Sequence, residues 1–133
     1  MRLEDIKKVG IAGAGTMGSG IAQIFARKGY EVVVTDISEE YLEKSKRLVQ
    51  IFNESLIGEG IMTAEEASEA VSLISYSTSK QVFADSQLII EAIVEKMDIK
   101  QVFWQEVEGI AAKDAYFATN TSGLSINGIS KLV

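Results

Sequence analysis

The 133 residues contain no cysteine, no histidine and no proline, and a single tryptophan, Trp104. Without cysteine there can be neither a disulfide nor a thiolate nucleophile, which fits a reducing compartment. Without histidine the chain lacks the one side chain whose unperturbed pKa lies between about 5 and 8. Excess positive charge is missing as well: 13 Lys and Arg stand against 19 Asp and Glu, a net charge of −6. No dense basic block occurs, so neither nucleic acid nor an acidic membrane surface is an expected partner. The N-terminus, Met1 to Lys8, carries acids where a signal peptide needs its apolar core, and no apolar run approaches membrane-spanning length. A cytoplasmic location is the expectation. The remainder is ordinary globular composition, 47% apolar and 24% charged, of a length suited to one domain.

What is present is a dense glycine cluster, Gly13-Ala-Gly-Thr-Met-Gly18, between the apolar run Val9 to Ala12 and a segment with Ile21, Ile24 and Phe25 at helical spacing. This reads as strand, tight turn and helix. A strand reverses into a helix within three residues only if the turn tolerates conformations denied to a residue with a Cβ, which Gly13 provides. Gly15 would let the backbone approach a pyrophosphate, and Gly18 would let the helix pack closely on the strand. The first turn, Thr16 and Met17 included, then offers unpaired N–H groups and the positive end of the helix dipole to an anion.

The next run, Glu31-Val-Val-Val-Thr-Asp36, is a β-branched strand ending in a carboxylate eighteen residues after Gly18, where the dinucleotide fingerprint requires an acid. Asp36 would accept hydrogen bonds from the two hydroxyls of an adenosine ribose. It would repel a 2′-phosphate by about 4 kcal/mol at about 4 Å and an effective dielectric of about 20. Ile37 follows, and no adjacent Arg would neutralise such a phosphate. The reading is NAD rather than NADP. The alternative role for Asp36 is to end the strand or cap the next helix.

From Ser38 a long amphipathic helix is expected to about Leu56, with Tyr41, Ser45, Leu48, Val49, Phe52 and Leu56 on one face and Lys44 and Arg47 solvated on the other. Gly58 and Gly60 interrupt it. Thr63-Ala-Glu-Glu66 is a capping box opening a shorter helix to about Val71. Short strands follow at Leu73 to Tyr76 and Gln87 to Ala92, separated by a helical turn from Ser79. A helix is expected from about Lys96 to Ala112 and a fifth strand from Ala115 to Thr119. Alternating strands and helices imply an α/β, Rossmann-type doubly wound parallel sheet with a helix pair inserted between strands two and three. In that order, strands one, four and five bring Gly13 to Gly18, Glu91 to Glu95 and Asn120 to Ser122 to one crevice. The inserted helices are candidates to reach over a ligand there.

Taken together, Gly13-Ala-Gly-Thr-Met-Gly-Ser-Gly-Ile-Ala22, the acid at Asp36, Glu91-Ala-Ile-Val-Glu95 and Thr119-Asn-Thr-Ser-Gly-Leu-Ser-Ile126 resemble the 3-hydroxyacyl-CoA dehydrogenase family, in its 3-hydroxybutyryl-CoA branch. The resemblance implies NAD-dependent oxidation of an L-3-hydroxyacyl-CoA in fatty-acid or butanoate metabolism. It places Glu95, Lys100 and Asn120 along the cofactor and Ser122 near the nicotinamide and the reacting oxygen. The alternatives for Glu95 and Lys100 are a helix-start carboxylate and a solvated lysine. The family's general base is a histidine in a segment downstream of that serine, and its dimer-forming helical domain follows. The chain ends at Val133 before either, and its inserted helices poorly match the basic residues with which the family holds CoA. The expectation is therefore an incomplete NAD-binding domain over 1–133, able to bind cofactor but inactive alone, from a parent enzyme that is a homodimer. Its fifth strand would be left as an unpaired edge that invites association. Competing readings are another NAD enzyme sharing the glycine turn, such as a 6-phosphogluconate or 3-hydroxyisobutyrate dehydrogenase relative, or a stand-alone NAD-sensing module.

Overall fold

The computed structural model describes residues 6–92, 105–107, 109–111 and 115–119, with 117–119 described by backbone alone. Strand β1 spans Lys8–Ala12, β2 Glu31–Thr35, β3 Ile74–Ser77, β4 Leu88–Glu91 and β5 Tyr116–Thr119. Helix α1 covers Thr16–Arg27, α2 Glu39–Gly58 and α3 Ala64–Ser72, and a 3-10 helix covers Lys80–Asp85. All strand pairings are parallel, in the order β3-β2-β1-β4-β5. This is the doubly wound sheet expected from the alternation of elements, with β1 and β4 adjacent where the winding direction reverses.

Both faces of the sheet are covered, which explains why β1, β2 and β4 carry unbroken apolar runs, Val9 to Ala12, Val32 to Val34 and Leu88 to Ile90, rather than alternating. On one face Val9, Ile11, Val32, Val34 and Ile90 pack with Ala22 and Ala26 of α1, Leu42 of α2 and Ala70 of α3. On the other, Phe83 of the 3-10 helix packs with Ala12, Ile89 and Val107. Phe83 is fully buried, and its ring lies so close to β1 that a Cβ on Gly10 would overlap it. Gly10 is thus a packing residue inside a strand, which the run of apolar neighbours around it did not reveal. At the start of the sheet, Gln87 Oε1 accepts from the N–H groups of Lys7 and Lys8 at 3.0 and 2.8 Å, fastening β1 to the entrance of β4.

The inserted helices form where capping chemistry predicts. Ser38 caps α2, its hydroxyl accepting from Tyr41 N, and Thr63 with Glu66 forms the reciprocal capping box of α3. α2 runs to Gly58, two residues past the expected end, and the break falls at Gly60, whose φ of 75° suits a residue without a Cβ. The buried stripe of α2 is Leu42, Ser45, Val49 and Asn53, which keeps Ser45 and Val49 of the expected set and replaces the rest: Tyr41 is exposed, and Leu48, Phe52 and Leu56 are half-buried. The stripe turns because α1 presents polar partners, Ser19 to Ser45 at 2.7 Å and Gln23 to Asn53 at 3.0 Å. These pairs also show α1 and α2 running in the same direction, away from the ends of the strands that feed them. The insertion therefore descends beside α1 instead of arching over the crevice. Most of the helix expected over 96–112 lies outside the described residues, as does everything beyond Thr119.

Two glycine substitutions should move stability in opposite directions. Gly10→Ala forces its methyl into the Phe83 ring and should cost about 1–3 kcal/mol. Gly58→Ala meets open space in a helix and should gain about 0.5–1 kcal/mol. Thermal and urea unfolding of the two variants beside the parent chain would measure both.

Candidate functional site

Strand register sets the geometry of the site. Thr35, Ala12, Glu91 and Thr119 are partners in one row across β2, β1, β4 and β5. The chain leaves that row through Gly13, Asp36 and Ala92, so the glycine turn and the acid emerge side by side on the carboxyl edge of the sheet. Glu91 itself is fully buried at its strand end.

Gly13 has a φ of 112°, in the region open to glycine, and its N–H donates to Thr35 O at 2.8 Å. The turn then doubles back so tightly that a Cβ on Gly18 would coincide with the Gly13 carbonyl oxygen. Gly15 is different. Its φ of −76° and ψ of −167° suit any residue, and a Cβ there would meet nothing within 4 Å among the described residues. Packing among those residues therefore gives no reason for a bare Cα at 15, which lies on the exposed side of the turn. Gly15, Thr16 and Met17 are exposed, whereas Gly13, Ala14 and Gly18 are buried.

α1 begins at this exposed strip with Gly15 as N-cap, no side-chain cap and no acid in its first turn. α2 and α3 begin with hydroxyl caps and two glutamates each. Among the described residues, then, no side-chain cap or first-turn acid offsets the positive dipole end of α1, an arrangement that suits an anion.

Asp36 closes the other side. Its Oδ2 accepts from Ala14 N at 2.8 Å and its Oδ1 from Ile37 N at 2.7 Å. One N–H on each oxygen leaves further lone pairs, since a carboxylate has about four acceptor sites. The carboxylate is half-buried, and Ile37 beside it is 86% exposed. The helix-capping alternative for Asp36 is not what is observed: the cap of α2 is Ser38, and the Asp36 carboxylate reaches back to the glycine turn.

Behind the turn, Ser19 Oγ donates to Ala14 O at 3.2 Å and pairs with Ser45 Oγ. Tyr76 of β3 lies near Ser45; burial pushes its phenol pKa up, the Ser45 hydroxyl draws it partly back, and the Glu43 carboxylate adds to the rise. The structure thus brings together Gly13, Ala14, Gly15, Thr16, Met17, Gly18 and Asp36 from the expected set. Glu95, Lys100, Asn120 and Ser122 lie outside the described residues. Two contacts were not foreseen, the Asp36 bond to Ala14 and the serine pair. The only sequence sign of the latter was a hydroxyl at each of two positions facing inward on neighbouring helices.

A bare-backbone turn between β1 and α1, an open helix start and an acid at the end of β2 define a dinucleotide-binding domain of Rossmann type. A family model described as "3-hydroxyacyl-CoA dehydrogenase, NAD binding domain" matches residues 8–133. The chain belongs to that family, and its cofactor is NAD. It is 35% identical to a 3-hydroxybutyryl-CoA dehydrogenase of Mycobacterium tuberculosis, over 91% of this chain and 43% of that protein. It is 33% identical to a peroxisomal fatty acid beta-oxidation multifunctional protein of Arabidopsis thaliana, over 95% of this chain and 18% of that one. Among solved structures, the (S)-3-hydroxybutyryl-CoA dehydrogenase of Ralstonia eutropha superposes with a TM-score of 0.91 at 35% identity, covering 97% of this chain and 46% of that chain. The chain thus spans less than half the length of these relatives.

The two glycines that flank the exposed strip should separate folding from binding. Gly18→Ala should destabilise the domain by several kcal/mol, because backbone has to move. Gly15→Ala should leave the melting temperature within about 2 °C while weakening NADH binding at least tenfold. Calorimetry and NADH titration of the same samples would distinguish them.

Proposed function

We propose that the chain is the cofactor-binding portion of an NAD-dependent oxidoreductase that converts L-3-hydroxyacyl-CoA to 3-oxoacyl-CoA, with a place in fatty-acid or butanoate metabolism. The observation that carries this reading is the open turn at Gly15, backed by an uncapped helix and faced by Asp36.

In this reading the N–H groups of the Gly13 to Gly18 turn, with Ala14, Thr16 and Met17 among them, hold the pyrophosphate. Asp36 keeps its contact with Ala14 N and uses its remaining lone pairs for the adenosine ribose hydroxyls. Ile37, exposed beside it, offers an apolar surface to the adenine ring. Glu95, Lys100 and Asn120 are assigned to the nicotinamide-ribose half, and Ser122 to the reacting oxygen. The bound nicotinamide supplies a hydride acceptor.

Loss of hydride from a secondary alcohol also needs a base with a pKa near the working pH to take the hydroxyl proton. These 133 residues contain no histidine, so the proposal gives them binding and orientation, with the base supplied from elsewhere in the enzyme and no useful turnover by the domain alone. The relatives' length and names support a larger parent that handles the acyl-CoA, and a homodimeric one is proposed. No helix among the described residues is long and apolar enough to cross a membrane, and with bacterial relatives a cytoplasmic setting is the proposed one.

The test is cofactor preference. NADH should quench Trp104 emission, by overlap with its absorption, and NADPH should do so far less. Asp36→Ala should weaken NADH about tenfold or more, as expected when charge-assisted bonds worth about 1.5–3 kcal/mol are lost. It should also narrow the gap between the two cofactors. An unchanged preference would remove Asp36 from the ribose.

A further inference from the structure

We propose that the buried Ser19–Ser45 pair is a positioning device for the dinucleotide turn, through which the inserted helix α2 sets the direction of the Gly15 N–H. The inference rests on the cofactor reading above and adds residues that touch no part of the cofactor.

Both serines are fully buried. Ser19 Oγ lies 3.2 Å from Ala14 O, which can only accept, so the single hydroxyl proton of Ser19 goes there. The 2.7 Å contact between the two hydroxyls must then be donated by Ser45, which leaves the Tyr76 phenol, also hydrogen-bonded to Ser45, to donate to the Ser45 oxygen. The order is Ser45 to Ser19 to the Ala14 carbonyl. Each donor in such a chain is polarised by the one behind it, which strengthens the last bond in a site shielded from water.

The Ala14 carbonyl belongs to the same planar peptide group as the Gly15 N–H, and in a trans peptide the two point in opposite directions. Holding the carbonyl inward toward α2 therefore aims the Gly15 N–H outward, on the exposed side of the turn. The preceding peptide is fixed independently, because Ala14 N donates to Asp36 Oδ2 at 2.8 Å. The two peptides that flank Ala14 are thus pinned from two sides, one by Asp36 just after β2 and the other by Ser19 of α1, which is itself held by Ser45 of α2. Among the described residues no hydrogen bond other than that of Ser19 reaches the Ala14 carbonyl, so without the serine pair the peptide between 14 and 15 is restrained only through its neighbours, Ala14 N on Asp36 and Gly15 O under Ser19 N, and its N–H direction is less tightly set.

The experiment is NADH titration of the 133-residue chain with Ser19→Ala, Ser45→Ala, the double variant and Ser45→Thr, which keeps the hydroxyl. Ser45→Ala should raise the NADH Kd about three- to tenfold, the loss expected for one buried hydrogen bond. Ser19→Ala should raise it at least as much, and the double variant no further than Ser19→Ala, because the two act in series. Ser45→Thr should return the Kd to within twofold of the parent.

The Gly15 amide resonance of the ligand-free protein should move in Ser45→Ala and return in Ser45→Thr. Val49→Ala, a cavity on the same helix, should lower the melting temperature while leaving both the Kd and that resonance in place. A Kd and a Gly15 resonance unchanged in Ser45→Ala, with the parent still binding NADH, would overturn the positioning role and leave the cofactor reading intact. Parallel loss of affinity in Val49→Ala would show general destabilisation and overturn it too. Failure of the parent chain to bind NADH would remove the cofactor reading first. Should Ser19→Ala not fold, the Ser45 pair of variants decides alone.

Discussion

The carbonyl of Gly13 rests against the bare Cα of Gly18, and the position of every other group in the site follows from that contact. It lets β1 turn into α1 within three residues, which seats the helix start directly above the row formed by Thr35, Ala12 and Glu91. A longer connection would carry the helix end away from the switch point, and its dipole acts only within the first turn. The same tight turn pushes Gly15, Thr16 and Met17 outward while Gly13 and Ala14 are drawn in. Burial at Gly13 and Ala14 gives way to exposure from Gly15 to Met17 and returns at Gly18, leaving the exposed side bare at Gly15, where no packing among the described residues demands it.

Such a turn lacks side chains with which to hold itself in place, so its rigidity is supplied by its neighbours. Thr35 O takes the Gly13 N–H, Asp36 takes the Ala14 N–H, and Ser19 gives its proton to the Ala14 carbonyl. Two of the three partners come from the end of β2, which explains why the acid and the glycines belong together even before a ligand is considered. The carboxylate orders the turn and faces the crevice at once. Asparagine at 36 could accept from Ala14 N or from Ile37 N at its one oxygen, but it would turn an NH2 group toward the other N–H and would carry no charge.

Much of this was legible because it is local. Gly13, Gly15 and Gly18 at fixed spacing, a β-branched strand ending in Asp36, and the Thr63-to-Glu66 box each state their conformation within a few residues. The strand order followed from alternation and handedness. The inward face of α2 was legible only in part: Ser45 and Val49 were expected on it, Leu42 and Asn53 were not. Leu48, Phe52 and Leu56 recur at helical spacing as convincingly as Leu42, Ser45, Val49 and Asn53, and on hydrophobicity alone they are the better stripe. What decides between them is a set of partners about thirty residues away, Ser19 and Gln23, and no pattern confined to one helix reports who stands opposite. Gly10 was missed for the same reason, since its neighbour Phe83 lies 73 positions later.

The polar seam between α1 and α2 also bears on how an insertion can serve a site without reaching it. Buried serines and amides stabilise little in net terms when satisfied, but they cost the full desolvation of each group when misaligned. A helix pair joined by Ser19–Ser45 and Gln23–Asn53 therefore has one favoured register, where a purely apolar interface would tolerate sliding by part of a turn. Because α1 carries the cofactor turn at its start, fixing the register of α2 against α1 fixes the turn. α2 acts from behind the glycine turn, through the serine pair and the Ala14 carbonyl, and not from the exposed side formed by Gly15, Thr16 and Met17.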